Sequence, residues 1–297
     1  MRFVSFAADG GSHYGILKDD RVLDLNVAGG GDFPSDMLGL IDLGASGIER
    51  AQQLADQSPD SAWQPLDSSK LLAPIPVPRR NVFCIGMNYA AHAAEGALAR
   101  GIEPSLPTVP VFFTKTTTAV TGPYSDVPFD AAVSDQIDWE VELAVIIGGR
   151  GKNISPESAM DYVFGYTVVN DLSARDLQFS HNQFFKGKSL DGACPMGPCI
   201  VTADEISDPH ALNVRCTVNG VLKQESNTSD LIFDIPATID WLSRGLTIQP
   251  GDVISTGTPS GVGFARTPPE FLFPGDVVEC EVEEIGIIRN RMVDVGG

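Results

Sequence analysis

The residues best suited to chemistry in this 297-residue chain are carboxylates. In Asp138-Trp139-Glu140-Val141-Glu142 the acids alternate. On an extended strand alternate side chains share a face, so Asp138, Glu140 and Glu142 point one way and Trp139, Val141 and Leu143 the other. The run continues as AVIIG, apolar on both faces, so the strand enters a core. Carboxylates at the mouth of a buried strand need a counter-charge, and a metal ion supplies one. Two acids at i, i+2 more often form a solvated strand face; three leading into a wholly apolar run weaken that reading without removing it. A further acid, Asp171, ends the apolar run VFGYTVVND. Taken alone it reads equally as a ligand at a strand end and as the N-cap of a following helix, LSARDLQ. Hard oxygen donors suit Mg2+ or Mn2+, one ion per subunit, rather than zinc, and three carboxylates leave positions for water and substrate.

His92 and Glu95, in NYAAHAAEG, are neighbours at i, i+3 on a helix. The carboxylate can orient the imidazole and raise its basicity, which makes His92 the best general-base candidate among four histidines. A merely solvated surface pair is the competing account, and the better one if the pair stood alone. Lys188, in GKSLDG, offers an ammonium from a glycine-flanked loop. The turn STGTPSGVG (255–263) offers backbone N–H groups, Gly257 included, and the Thr258 hydroxyl to a carboxylate. No G-K-[ST], G-x-S-x-G or H-E-x-x-H occurs, so phosphate-loop, serine-nucleophile and zinc-protease chemistry lack support. Five cysteines without a C-x-x-C pair read as reduced, partly buried thiols.

The elements that must position these groups are mostly strands. Residues 1–26 read as strands with a hairpin turn at Lys18-Asp19-Asp20, and 36–56 carry helical periodicity; together 1–70 form a small N-terminal domain. LLAPIPVPRR (71–80), with three prolines, is an extended linker. Residues 81–297 form the catalytic domain. There VFCIG, VFFTK, DWEVELAVIIG (138–148) and FGYTVVND (164–171) read as strands, the last running directly into a helix. Helices are expected over 88–101, 155–163 and 235–245. Asn219-Gly220 marks a hairpin. Many strands with few short helices give a β-rich α+β class.

Composition excludes several partners. The formal net charge of −19 repels nucleic-acid backbones and anionic lipid, so neither nucleic acid nor membrane is expected. No signal peptide or roughly 20-residue apolar span is present, and a cytoplasmic location is expected. An anionic substrate would need local positive charge, from a divalent ion and a few lysines and arginines.

Taken in order, IGMNYAAHAAEG, VFFTK, DWEVELAVIIG, MDYVFGYTVVNDLSARDLQ, FFKGKSLDGACPMGP, LIFDIPATIDWLS and PGDVISTGTPSGVG resemble the fumarylacetoacetate hydrolase superfamily over roughly residues 70–293. The resemblance implies a mixed β-roll with a small N-terminal α+β domain, and Mg2+ or Mn2+ on Glu140, Glu142 and Asp171. It implies His92 and Glu95 as a base dyad on a segment that closes as a lid (96–107), and Lys188 and Thr258 at substrate or its activated water. Arg175 and Gln178 match substrate-side positions, and Asp138 is expected behind the ligands, orienting them or a nearby cation. Members act on small 2-oxo or enol acids, and a homodimer is implied. The dyad favours hydrolysis of an acylpyruvate such as fumarylpyruvate, with a pyruvate enolate as leaving group. The alternatives are decarboxylation or tautomerisation of oxaloacetate-like acids, isomerisation of 2-hydroxy-dienedioates, and a non-catalytic small-acid binder.

Overall fold

Alternating apolar side chains build an N-terminal meander, β1 (Arg2–Ala8), β2 (Gly11–Lys18) and β3 (Arg21–Asp24), in the computed structural model, which describes residues 1–296. Its second hairpin turns at Asp19, whose φ of 53° is the left-handed value a tight turn needs. Helices α1 (Leu25–Ala28), α2 (Met37–Asp42) and α3 (Ala45–Gln57) follow. The one helix expected over 36–56 is therefore two, divided at Gly44 (φ 56°). β4 (Trp63–Pro65) and β5 (Leu71–Leu72) end this part.

Next come β6 (Val82–Gly86), α4 (Ala90–Ala99), β7 (Val111–Lys115), β8 (Val120–Thr121) and β9 (Val127–Phe129). The long strand expected over 138–148 is broken into β10 (Ile137–Asp138) and β11 (Val141–Ile147). At the break, side chains replace a neighbouring strand as partners. Glu140 N–H donates to Asn170 Oδ1 and Val141 N–H to Gln224 Oε1, each at 3.0 Å. The expected helix over 155–163 is a 3-10 helix, Pro156–Tyr162. After β12 (Val163–Asn170), a short β13 (Ser173–Ala174) pairs with β10 before α5 (Arg175–Ser180) begins at its cap, Ala174. Asp171 is thus not a helix cap. Lys188 lies in a short helix, α6 (Phe185–Lys188), rather than in a loop.

The remainder is β14 (Cys194–Thr202), the hairpin β15 (Asn213–Val218) and β16 (Val221–Asn227), α7 (Ile235–Ser243), β17 (Val253–Ser255), β18 (Val277–Val282) and β19 (Gly286–Asp294). The expected hairpin turns at Asn219 and Gly220, with φ of 51° and 76°.

The large sheet runs β4-β3-β2-β1-β14-β12-β11-β17-β6-β7, with β5 on β1 and β8 on β14; a second sheet runs β16-β15-β18-β19-β9. The N-terminal strands are hydrogen-bonded into the large sheet through β1 and β14, and β5, inside the expected linker, pairs with β1. The boundary at 71–80 therefore divides the chain in sequence but not the sheet. Strand β11 shows how the layers form. Val141, Leu143, Val145 and Ile147 pack toward the second sheet, with Val214, Val278 and Val282. Ala144 and Ile146 face the opposite core, with Leu40 and Ile41 of α2. Glu142 shares the parity of Ala144 and Ile146, at the strand end where that core opens. Among the described residues two large sheets, the two-stranded β10-β13 pair and seven α-helices make a β-rich α+β fold. Among the described residues no helix is long and apolar enough to cross a membrane.

Candidate metal centre

Glu140 leaves the break before β11, Glu142 sits one residue inside β11, and Asp171 follows β12, the neighbour of β11 in the sheet. Asp171 N–H donates to Glu140 O at 2.8 Å, which fastens the two acids' backbones together. The three side chains are buried, and one oxygen from each lies within 4.8 Å of the others. Two ligands about 2.1 Å from an ion span at most about 4.2 Å, so this group needs little rearrangement to hold Mg2+ or Mn2+. The solvated-face account of these acids fails on burial.

The remaining lone pairs are committed in an ordered way. Glu142 Oε2 accepts from Ser255 Oγ–H at 2.5 Å and Gly257 N–H at 2.8 Å, which leaves Oε1 for an ion. Lys188 Nζ lies 2.7 Å from both Glu140 Oε2 and Asp171 Oδ2. Lys115 Nζ donates to Asp171 Oδ1 at 2.5 Å and Leu172 O at 3.0 Å. Arg175 donates from Nε to Asp138 Oδ2 at 2.8 Å and from Nη1 to Gln178 Oε1 at 2.9 Å. Its Nη2 stands 2.7 Å from Glu140 Oε1 as an ion pair. Asp138 also accepts the backbone N–H groups of Gly263 and Phe264.

Four buried carboxylates thus face three buried cations. Burial pushes the Glu140 carboxyl up, but Lys188 and Arg175 outweigh it and hold Glu140 well below the usual range. Glu142 has no cation of its own. Burial, with the charges of Asp171 and Glu140, drives its carboxyl well above the usual range. Burial likewise disfavours the Lys188 ammonium, but Asp171 and Glu140 prevail and keep it charged. A divalent cation beside Glu142 would relieve the like-charge crowding, so the donor set fits such an ion.

His92 and Glu95 face this centre from α4. His92 Nδ1 lies 3.0 Å from Glu95 Oε1, and Gly261 N–H donates to both Glu95 oxygens at 2.9–3.0 Å. The pair is therefore tied to the 255–263 loop rather than solvated. Gly261 (φ 105°) has no room for a side chain: a Cβ there would stand 2.2 Å from Lys223 O. His92, Glu140, Glu142, Arg175, Gln178 and Lys188 line one pocket with Thr258.

Three expected substrate contacts are differently employed. Gly257 N–H serves Glu142, so it is not open to substrate. Thr258 Oγ–H donates to Val141 O at 2.9 Å, leaving the hydroxyl only as an acceptor toward the pocket, where it already takes Gln224 Nε2 at 2.8 Å. Arg175, expected on the substrate side, spreads its guanidinium over Asp138, Gln178 and Glu140. Sequence reasoning missed Lys115, Ser255 and Gln224. No local pattern singles out any of the three: Lys115 reads as an ordinary end of the strand VFFTK, and Ser255 and Gln224 as polar residues of strands β17 and β16.

Comparison with known proteins follows the same geometry. Residues 81–293 match the model of the fumarylacetoacetate (FAA) hydrolase C-terminal family. The chain is 44% identical over 288 residues to oxaloacetate tautomerase YisK of Bacillus subtilis, covering 93% of this chain and 94% of that protein. Its fold superposes on a fumarylacetoacetate hydrolase from Exiguobacterium antarcticum with a TM-score of 0.84 at 37% identity, covering 99% of each chain. It also superposes on a maleylpyruvate hydrolase from Sphingobium sp. SYK-6, solved with manganese(II) and pyruvate, with a TM-score of 0.78 at 30% identity over the whole of both chains.

Proposed function

The chain belongs to the fumarylacetoacetate hydrolase family, and from that premise we propose that it is an Mg2+- or Mn2+-dependent tautomerase of an oxaloacetate-like acid, interconverting the 2-oxo and 2-enol forms. The observation that carries the reading is the placement of the His92–Glu95 dyad across one pocket from the three buried carboxylates. The expected acylpyruvate hydrolysis gives way because the chain is 44% identical to a tautomerase and 30% identical to a maleylpyruvate hydrolase. One observation still favours hydrolysis as a second reading: an imidazole held by Glu95 is equally suited to take a proton from water.

Glu140, Glu142 and Asp171 would hold the ion, which when bound acts as a Lewis acid on the 2-oxo group and adjacent carboxylate. The protein's own groups move the proton. With Glu95 accepting from Nδ1–H, the Nε2 lone pair of His92 is the base for a C3 proton, a tautomer assigned from the hydrogen-bond pattern. The C3–H electron pair becomes the C2–C3 double bond, the C2–O π pair moves onto the 2-oxygen, and that oxygen takes up the proton that the His92 imidazolium gives back. Lys188 gives two N–H bonds to Glu140 and Asp171, and its third N–H can steady that oxygen. Gln178, whose Oε1 is taken by Arg175, offers its amide N–H groups to the substrate carboxylate. A homodimer in the cytoplasm belongs to the same proposal.

The test follows the absorbance of enol-oxaloacetate with wild type and His92→Gln, each with and without Mn2+. Metal-dependent acceleration in wild type, lowered roughly 10²–10⁴-fold in the variant, is expected. Acylpyruvate cleavage without enol conversion would favour the second reading, and turnover of neither acid would leave a small-acid binder.

A further inference from the structure

One wall of the pocket is a stripe of α4 and its cap: His92, Ala93, Gly96 and Arg100. At 3.6 residues per turn these positions share a face, and Arg100 stands two turns, about 12 Å of axis, beyond His92. Its side chain folds back toward the site, because Nε–H donates to Gly96 O at 2.9 Å. The guanidinium is steadied over Phe179, 5.5 Å from the ring centroid. Phe179 in turn stands edge-on to Phe264, with ring centroids 5.1 Å apart. The exposed guanidinium of Arg100 is thus held against two of the aromatic rings that line the pocket with it.

Arg100 differs from the other cations lining the site. Lys115, Lys188 and Arg175 are each neutralised by buried carboxylates. Among the described residues Arg100 has no carboxylate within ion-pair distance, and its one hydrogen bond leaves both Nη groups open. A guanidinium fork with open N–H groups, backed by an aromatic ring, matches a carboxylate in two-point contact.

We infer that Arg100 is a specificity-determining residue that receives the far carboxylate of a dicarboxylic 2-oxo acid whose near end sits at the Glu140, Glu142 and Asp171 cluster. The inference rests on the tautomerase reading and adds to it the residue that recognises the second carboxylate. It also answers the charge problem, since a dianion entering a protein of net charge −19 meets an unneutralised cation at the entrance.

The experiment compares Mn2+-loaded wild type, Arg100→Gln and Arg100→Lys on two substrates, oxaloacetate and its 4-ethyl ester, which keeps the enolisable centre and masks the far charge. Calorimetric Kd values for oxaloacetate are measured in parallel. Losing a charge-assisted pair should raise KM and Kd for oxaloacetate roughly 10- to 100-fold in Arg100→Gln, with kcat little changed and the ester affected far less. Arg100→Lys should recover part of the loss. Equal effects on diacid and ester, or unchanged KM and Kd, would overturn the role of Arg100. Wild type that binds oxaloacetate with an Arg100-dependent Kd yet leaves the enol untouched would remove the tautomerase reading and keep Arg100 as the diacid contact.

Discussion

Lys115→Met tests whether the buried charges are balanced around an ion. The Lys115 ammonium and the Asp171 carboxylate are both fully buried, 2.5 Å apart. Methionine preserves the length and apolar stem of the side chain but removes the charge. Breaking a buried pair costs roughly 3–5 kcal/mol, because the surviving partner is left uncompensated in a low dielectric. Asp171 keeps Lys188 at 2.7 Å, which puts the loss at the lower end of that range. At roughly 2–4 °C per kcal/mol for a chain of this size, about 3 kcal/mol lowers Tm by about 6–12 °C. The deficit should depend on metal. An ion on the same carboxylates supplies positive charge beside Asp171, and its binding to the native state alone adds stability. Differential scanning calorimetry of both proteins in chelator and in saturating Mn2+ reads the difference, and the drop should be clearly smaller with Mn2+. Equal drops in the two buffers would refute an ion at Asp171. No drop in chelator would refute the pairing itself.

Two further outcomes are expected. Glu142→Gln keeps an acceptor for Ser255 and Gly257 but turns an amide toward the ion, so metal-dependent turnover should disappear; Asp138→Asn, which touches the centre through Arg175, should weaken Mn2+ binding only by about 10–100-fold in titration calorimetry. Equal loss in both would place Asp138 among the ligands. All five cysteines are buried, and burial pushes Cys199 up to about 11 and Cys194 up to about 12. At roughly pH 8 a thiol-disulfide reagent should therefore find no reactive thiol in the folded protein and five after denaturation; rapid labelling of the native chain would contradict the burial.

What the sequence discloses here is mostly local. The i, i+2 spacing of Glu140 and Glu142 ahead of an apolar run, the acid ending VFGYTVVND and the Asn219-Gly220 turn each need only a few neighbouring residues to be read. The misses need partners far along the chain. The strand break at Trp139 and Glu140 depends on Asn170 and Gln224, which no local pattern connects to residue 140. Lys115 looks like an ordinary strand end until Asp171, 56 residues later, is placed against it. Gly257 and Thr258 were legible as a turn able to hydrogen-bond, but not as one already committed to Glu142 and Val141. The pairing of β1 with β14 joins residues 2 and 201, and nothing in either segment announces the other.

The 255–263 loop has a consequence for how such a site can diversify. Through Ser255 and Gly257 it grips Glu142, through Gly261 it grips Glu95, and through Gly263, with the next residue Phe264, it holds Asp138. Under the proposed function ion affinity and proton transfer would therefore be coupled through one loop, and a substitution there would perturb both together. Arg100, the C-cap of α4, makes no hydrogen bond to that loop or to the carboxylates it holds; its one side-chain hydrogen bond is to Gly96 O. If Arg100 reads the far end of the substrate, selectivity could be altered at that one position without touching the hydrogen bonds that hold the carboxylates, a separation of recognition from chemistry within a single pocket.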